Sequence, residues 1–186
     1  MMLKFTTCLA CLYLGFHLLS ASVNVSPKPH PILTFTAKVV GVKDGDTFML
    51  LSNQKELTLR LSDVDCPEKR QPFGTAAKKF ASDFCFGKTV QIRTANKKDR
   101  YHRLIGEIYF NGSCLNKELV RNGLAWQYVQ YSKDIAYRKL EQAARLKKVG
   151  IWTEKHPVAP WEWRKQRKQA SKRKKELRRS RAFITD

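Results

Sequence analysis

ILTFTAKVVGVKDGDTFMLLSNQKELTLRL, residues 32–61, alternates apolar and polar residues in three runs, 32–42, 46–51 and 55–61. A period of two places successive side chains on opposite faces of an extended chain, and the runs are rich in β-branched residues. SerAsnGln at 52–54 separates the last two as a turn, so the stretch predicts a three-stranded meander.

Outward from the meander the period changes. From Pro72, residues Phe73, Ala76, Ala77, Phe80 and Phe84 share one helical face, with Pro72 early in the helix and Gly87 just past its end. KTVQIRT (88–94) and RLIGEIYF (103–110) return to strand patterning, and Asn111-Gly112 is a strong hairpin signal. Asn111-Gly112-Ser113 and Asn24-Val25-Ser26 also fit glycosylation sequons, but the turn reading needs no assumption about the host. NKELVRNG (116–123) reads as a short helix stopped by Gly123. A longer helix is expected from about Lys133 to Val149, capped by Ser132, stopped by Gly150, and apolar along Ala136, Leu140, Ala143 and Ala144. Five strands with a helix after the third predict an α+β fold: a five-stranded OB-fold-type Greek-key barrel with about three helices.

A chain of 186 residues has room for one such domain and two tails, and an apolar fraction of 42% excludes general disorder. Residues 1–22 read as an export signal. Lys4 precedes an apolar run, Phe5 to Leu19, that closes on SerAlaSer at 20–22, with cleavage expected after Ser22. The rival reading, an uncleaved anchor, is disfavoured because the run falls short of the roughly 20 apolar residues that span a bilayer. Residues 23–31 form a linker ending in the proline-rich SPKPHP, residues 32–163 the folded domain, and 164–186 a basic tail. Cleavage would leave Cys66, Cys85 and Cys114 in an oxidising compartment. A Cys85–Cys114 disulfide is the preferred expectation, with three buried thiols as the alternative.

Lys and Arg (36) exceed Asp and Glu (16) by 20, so the chain should seek polyanions. From Arg164 to Arg181 there are 11 basic residues and one acid, half of that surplus in 18 positions. Such a block is usually solvated and disordered by itself, and it reads either as a solubilising tail or as an electrostatic tether for nucleic acid.

Two acidic clusters stand out against this background. LysAspGlyAspThr (43–47) opens the second strand, and RLSDVDCPE (60–68) closes the third. Antiparallel pairing of those strands would bring Asp44 and Asp46 near Asp65. Facing carboxylates repel, raise their pKa values or recruit a cation. His30, His102 and His156 are scattered, which argues against tetrahedral zinc, whereas carboxylates with a backbone carbonyl suit a hard cation, calcium before magnesium.

In order along the chain, DGDT, RLxxVDxPE, AspArgTyrHisArg at 99–103 and NGLAW at 122–126 resemble the thermonuclease (staphylococcal nuclease-like) family over about Ala37 to Trp152. PWEWRK (160–165) resembles the ending of some bacterial members. The resemblance implies a calcium-dependent nuclease acting on DNA and RNA and leaving the phosphate on the 3′ side. It implies Asp46, Asp65 and the carbonyl of Cys66 as calcium ligands and Glu68 as general base. Arg60 and Arg103 would hold the phosphate, and Arg100 and Tyr101 would bind substrate. Two features depart from the pattern: His102 stands where the family usually has glycine, and the link from Glu68 to the first helix is shorter.

The residue set makes chemical sense independently. Attack on an anionic phosphodiester builds further negative charge, which fixed guanidiniums can meet with forked hydrogen bonds. A carboxylate can then take the proton of the attacking water. The expected protein is thus a secreted or periplasmic monomer, not stably associated with membrane once its signal is cleaved. Two other classes remain in view: a non-catalytic nucleic-acid-binding module of the same fold, and a cationic surface-active protein.

Overall fold

The computed structural model describes residues 31–182, so the expected signal and nearly all of the linker lie outside the described residues. Strands β1 (Leu33–Val42), β2 (Thr47–Ser52) and β3 (Lys55–Leu61) form the meander. Val39 pairs with Leu50 and Phe48 with Leu59, so the alternating apolar residues fall on one face. Asn53 and Gln54 both have positive φ, as a two-residue hairpin turn matched to the strand twist requires. The same geometry recurs at Asn111-Gly112.

After a two-residue strand β4 (Val64–Asp65) come helix α1 (Gly74–Cys85), β5 (Thr89–Thr94) and β6 (Leu104–Phe110). β1 pairs antiparallel with β5, β5 antiparallel with β6, and β6 parallel with β3, which closes a five-stranded mixed barrel. Val39, Phe48, Leu50, Leu59, Ile92 and Ile108 fill its interior, each fully buried. Closure leaves no long unpaired edge and gives this small domain one continuous core. A short β7 (Ser113–Cys114) leads into α2 (Leu115–Arg121), and β8 (Trp126–Gln127) pairs with β4. Helix α3 (Ile135–Leu146), a 3-10 turn (Gly150–Thr153) and α4 (Pro160–Ala182) complete the described residues, among which no helix is long and apolar enough to cross a membrane.

The structure corrects several expectations. Pro72 lies before α1 rather than inside it, because Phe73 takes a left-handed φ of 66° and the helix starts at Gly74. Ala76 is exposed, and the buried stripe is Ala77, Ala81 and Cys85. The cap of α3 is Asp134, whose carboxylate accepts from Ala136 N–H at 2.7 Å, not Ser132, which is buried. Tyr137 and Ala144 are the buried residues of α3, whereas Ala136 and Ala143 face solvent. All three described cysteines are free and buried, Cys85 donating to the Ala81 carbonyl at 3.2 Å instead of bonding to Cys114.

The largest difference concerns the tail. α4 runs across the boundary expected between residues 163 and 164 and brings the helices among the described residues to four, in keeping with the α+β barrel. Lys, Arg, Gln, Ala and Glu are strong helix formers, and Pro160 fits the first helical position. Trp161 anchors the first turn by stacking on Tyr128 at 5.5 Å between ring centroids. From Arg164 to Ser180 every residue is exposed.

Candidate active site

Pairing decides where the charged residues meet. Thr47, the first residue of β2, is opposite Arg60 of β3, and the parallel pairing of β3 with β6 sets Arg60 beside Ile105. The DGD turn, the end of β3 and the loop before β6 therefore share one rim of the barrel. Asp46 is carried there by its own backbone, its carbonyl accepting from Leu61 N–H at 2.9 Å. Gly45 allows this approach: a Cβ at Gly45 would come within 2.9 Å of both Ala77 and the Cys66 side chain.

Arg60 is the centre of the cluster. Its Nη1 donates to the carbonyls of Leu61 and Val64 at 2.8 and 2.9 Å, which fixes the guanidinium plane. Its Nη2 lies 2.8 Å from Asp65 Oδ1 and 3.2 Å from Asp46 Oδ2. Burial opposes the Arg60 charge, but Asp46 and then Asp65 outweigh it and raise its pKa. Asp46 Oδ2 also accepts from Cys66 N–H at 2.7 Å. Asp46 and Asp65 are thus brought together, whereas Asp44 stays with its turn, accepting from Asp46 N–H at 3.1 Å. Burial and the Asp46 charge push the Asp44 carboxyl up to about 6. The Cys66 thiol is raised well above its ordinary value by burial and then by Asp46, so it stays neutral.

Arg103 enters from the loop before β6. Asp99 shapes that loop by accepting from Tyr101 N–H (2.9 Å), Arg103 N–H (3.0 Å) and Arg103 Nε (2.8 Å). Burial disfavours the Asp99 charge, but these bonds from Arg103 and Tyr101 prevail and lower its pKa. His102 keeps the left-handed backbone that glycine would adopt freely, with φ 60°. The loop thus makes its left-handed turn with histidine at this position. Arg103 Nη1 donates to Thr47 Oγ1 at 3.2 Å, and that hydroxyl donates to Asp46 Oδ1 at 3.2 Å. Tyr101 is exposed, with the Arg100 and Arg103 guanidiniums 4.8 and 5.4 Å from its ring centroid.

Glu68 sits on the short turn between β4 and α1. Gln71 holds that turn: its Oε1 accepts from Glu68 N–H at 3.1 Å and its Nε2 donates to the Val158 carbonyl at 2.6 Å. The shorter link to α1 is closed by Gly74, where a Cβ would collide with the Glu68 carbonyl. Glu68 also pairs with a residue that motif reading passed over. Arg164, in the first turns of α4, donates to Glu68 Oε1 at 2.8 Å and to Asp65 Oδ2 at 2.8 Å. Membership of PWEWRK and of the basic block 164–181 marks it in the sequence, but no spacing rule links it to carboxylates 99 and 96 positions away. Thr47, Asp99 and Gln71 likewise gain their part only from the hydrogen bonds they make across the rim.

The donor set fits a hard cation. Asp46 and Asp65 are both buried, and Arg60 Nη2 lies against one oxygen of each, which brings the two carboxylates into one neighbourhood. Among the described residues no group of three or more His, Cys, Asp and Glu side chains forms a metal cage. Two carboxylates and a backbone carbonyl are a smaller set, the kind that leaves positions for water and substrate.

The family model described as Staphylococcal nuclease homologue matches residues 58–154. An uncharacterized endonuclease of Haemophilus influenzae is 39% identical over 134 residues, 72% of this chain and 75% of its own. One from Escherichia coli O157:H7 is 39% identical over 128 residues, 68% and 83% of the two chains. A micrococcal nuclease of Shigella flexneri is 34% identical over 148 residues, 74% and 84%. With the matched segment carrying Arg60, Asp65, Glu68 and Arg103 on one rim of a closed five-stranded barrel, the chain belongs to the staphylococcal nuclease family, hydrolases that act on nucleic acids.

Proposed function

We propose that the protein is an exported, calcium-dependent endonuclease that hydrolyses phosphodiester bonds of DNA and RNA and leaves 3′-phosphate ends. The observation that carries this reading is the convergence of two buried carboxylates, two guanidiniums and a third, half-exposed carboxylate on one rim of the barrel.

Each group has a distinct task. Arg60, locked by two carbonyls, and Arg103, aimed by Asp99, supply positive charge that need not reorganise as charge builds on the phosphate. Glu68, less buried than Asp65, takes the proton of the attacking water. Asp46, Asp65 and the Cys66 carbonyl would hold calcium, which when bound polarises the phosphate and gathers water. Tyr101, with the cationic Arg100 beside it, offers an exposed ring for stacking a base.

The deciding experiment mixes purified protein with DNA or RNA in calcium or in chelator and examines the product ends. Cleavage that needs calcium and leaves 3′-phosphates is expected. Undiminished cleavage in chelator removes the metal assignment. No cleavage under either condition, with binding intact, favours the non-catalytic module. Export is tested separately: protein recovered outside the cytoplasm should begin near Val23, and Met1 on membrane-bound material would favour the anchor.

A further inference from the structure

Two guanidiniums share Asp65, and they are not equivalent. Arg60 is nearly buried and is bound by two backbone carbonyls as well as by Asp46 and Asp65. Arg164 has a side chain 43% exposed and, among the described residues, hydrogen-bonds through it only to Asp65 and Glu68. Its charge sits on the same Asp65 that would take calcium and the same Glu68 that would take a proton, so both tasks are blocked while it stays. Burial opposes the Arg164 charge, but the hydrogen bonds it donates to Asp65 and then to Glu68 prevail and raise its pKa.

A destination lies beside it. Glu68, Lys69, Arg70, Trp163, Arg164 and Arg167 line an open groove of about 350 Å³ between the Glu68 turn and α4. Among the described residues Lys69, Arg70 and Arg167 pair with no carboxylate, so three uncompensated cations face the groove around Arg164. The two walls cannot drift apart freely, because Gln71 ties the Glu68 turn to Val158, just before α4. Such a concentration of cations next to a phosphodiester site matches a backbone phosphate outside the scissile bond.

We propose that this groove is a phosphate subsite for the nucleic-acid strand and that Arg164 moves into it from Asp65 and Glu68 as the strand binds. The inference rests on the nuclease reading and deepens it. In the free protein Arg164 pairs with both carboxylates. In the complex it exchanges them for a substrate phosphate, leaving Asp65 Oδ2 to calcium and Glu68 to water while Arg60 stays on Asp65 Oδ1. Calcium and nucleic acid then favour one another's binding through a single side chain, reciprocally.

The test uses the full chain and two equilibrium measurements without turnover: calcium affinity by calorimetry in the absence of nucleic acid, and affinity for a fluorescent single-stranded octanucleotide by anisotropy in chelator. Arg164→Gln should bind calcium about fivefold or more tightly, the low end of ordinary site coupling, and bind the oligonucleotide more weakly. Opposite directions matter, since a damaged fold weakens both. Arg167→Gln, which touches neither carboxylate, should weaken only the oligonucleotide. Unchanged or weaker calcium binding by Arg164→Gln overturns the proposal, as does unchanged oligonucleotide binding by both variants. If neither wild type nor Arg164→Gln binds calcium at all, the calcium reading falls and takes this inference with it. Equal calcium affinities overturn the inference alone.

Discussion

Arg103 reaches back across the barrel rim to donate, through Nη1, to the hydroxyl of Thr47 at 3.2 Å. Because that hydroxyl donates onward to Asp46 Oδ1, one side chain couples the guanidinium proposed to hold the phosphate to a carboxylate proposed to hold calcium. Thr47→Val keeps the shape of the buried residue and removes both bonds. A hydrogen bond of this kind is worth about 1 kcal/mol, so kcat/KM should fall roughly fivefold to tenfold with a small drop in Tm. Thr47→Ser should restore most of the rate. Steady-state kinetics on the two variants checks the coupling, and a Thr47→Val rate equal to wild type refutes it.

Glu68→Gln keeps the size of the side chain and its bond to Arg164 but cannot accept a proton. The rate should drop by about 10² or more while binding of DNA in chelator persists. Arg60→Lys and Arg103→Lys keep the charge and lose the fork, and each should impair turnover. Arg60→Lys should also lower Tm, since Nη1 holds two buried carbonyls. A normal rate in Glu68→Gln assigns the base elsewhere.

Asp99 gives the loop a pH dependence. Its folded-state pKa lies below the ordinary 3.8, so the stability it contributes is complete above pH 3.8 and is lost as pH falls through the lowered value. Asp99→Asn should cost about 1 to 2 kcal/mol at neutral pH, shrinking towards zero in strong acid, where the wild-type carboxyl is protonated too. Denaturant titrations of both proteins between neutral pH and pH 2.5 measure the difference. A constant difference across that range contradicts the assignment.

Beyond Arg167, α4 presents Lys172, Arg173, Lys174, Lys175, Arg178 and Arg179, all exposed. Each phosphate they neutralise releases counterions and steepens the salt dependence of binding by about 0.9 in log–log slope. Deleting residues 171–186 should weaken binding to long DNA and flatten that slope, while cleavage of a dinucleotide-type substrate stays as it was. Equal losses on both substrates with a lowered Tm would show instead that the helix supports the barrel.

How much of this was legible beforehand differs by residue. The strands were, because a period of two is imposed by the chain's own stereochemistry, and both two-residue hairpin turns fell where the turn residues stood. Asp46, Arg60, Asp65, Glu68 and Arg103 stand in short motifs whose order along the chain carries the family resemblance, and the structure sets them on one rim. Helix faces were read less well: Ala136 and Ala143 are as apolar as Ala144, and only the packing of α3 against its neighbours decides which of them is buried.

The sequence alone determined the barrel, the family and the acidic and basic residues at its rim, since each is written in local periodicity or in short motifs. The tertiary structure alone decided which charges touch. Closure through β3 and β6 put Arg103 beside Thr47, and the docking of Trp161 on Tyr128 started α4 where Arg164 meets Asp65 and Glu68. The physical reason is range: an ion pair acts over a few ångströms in space and carries no mark in sequence when its partners are 99 residues apart.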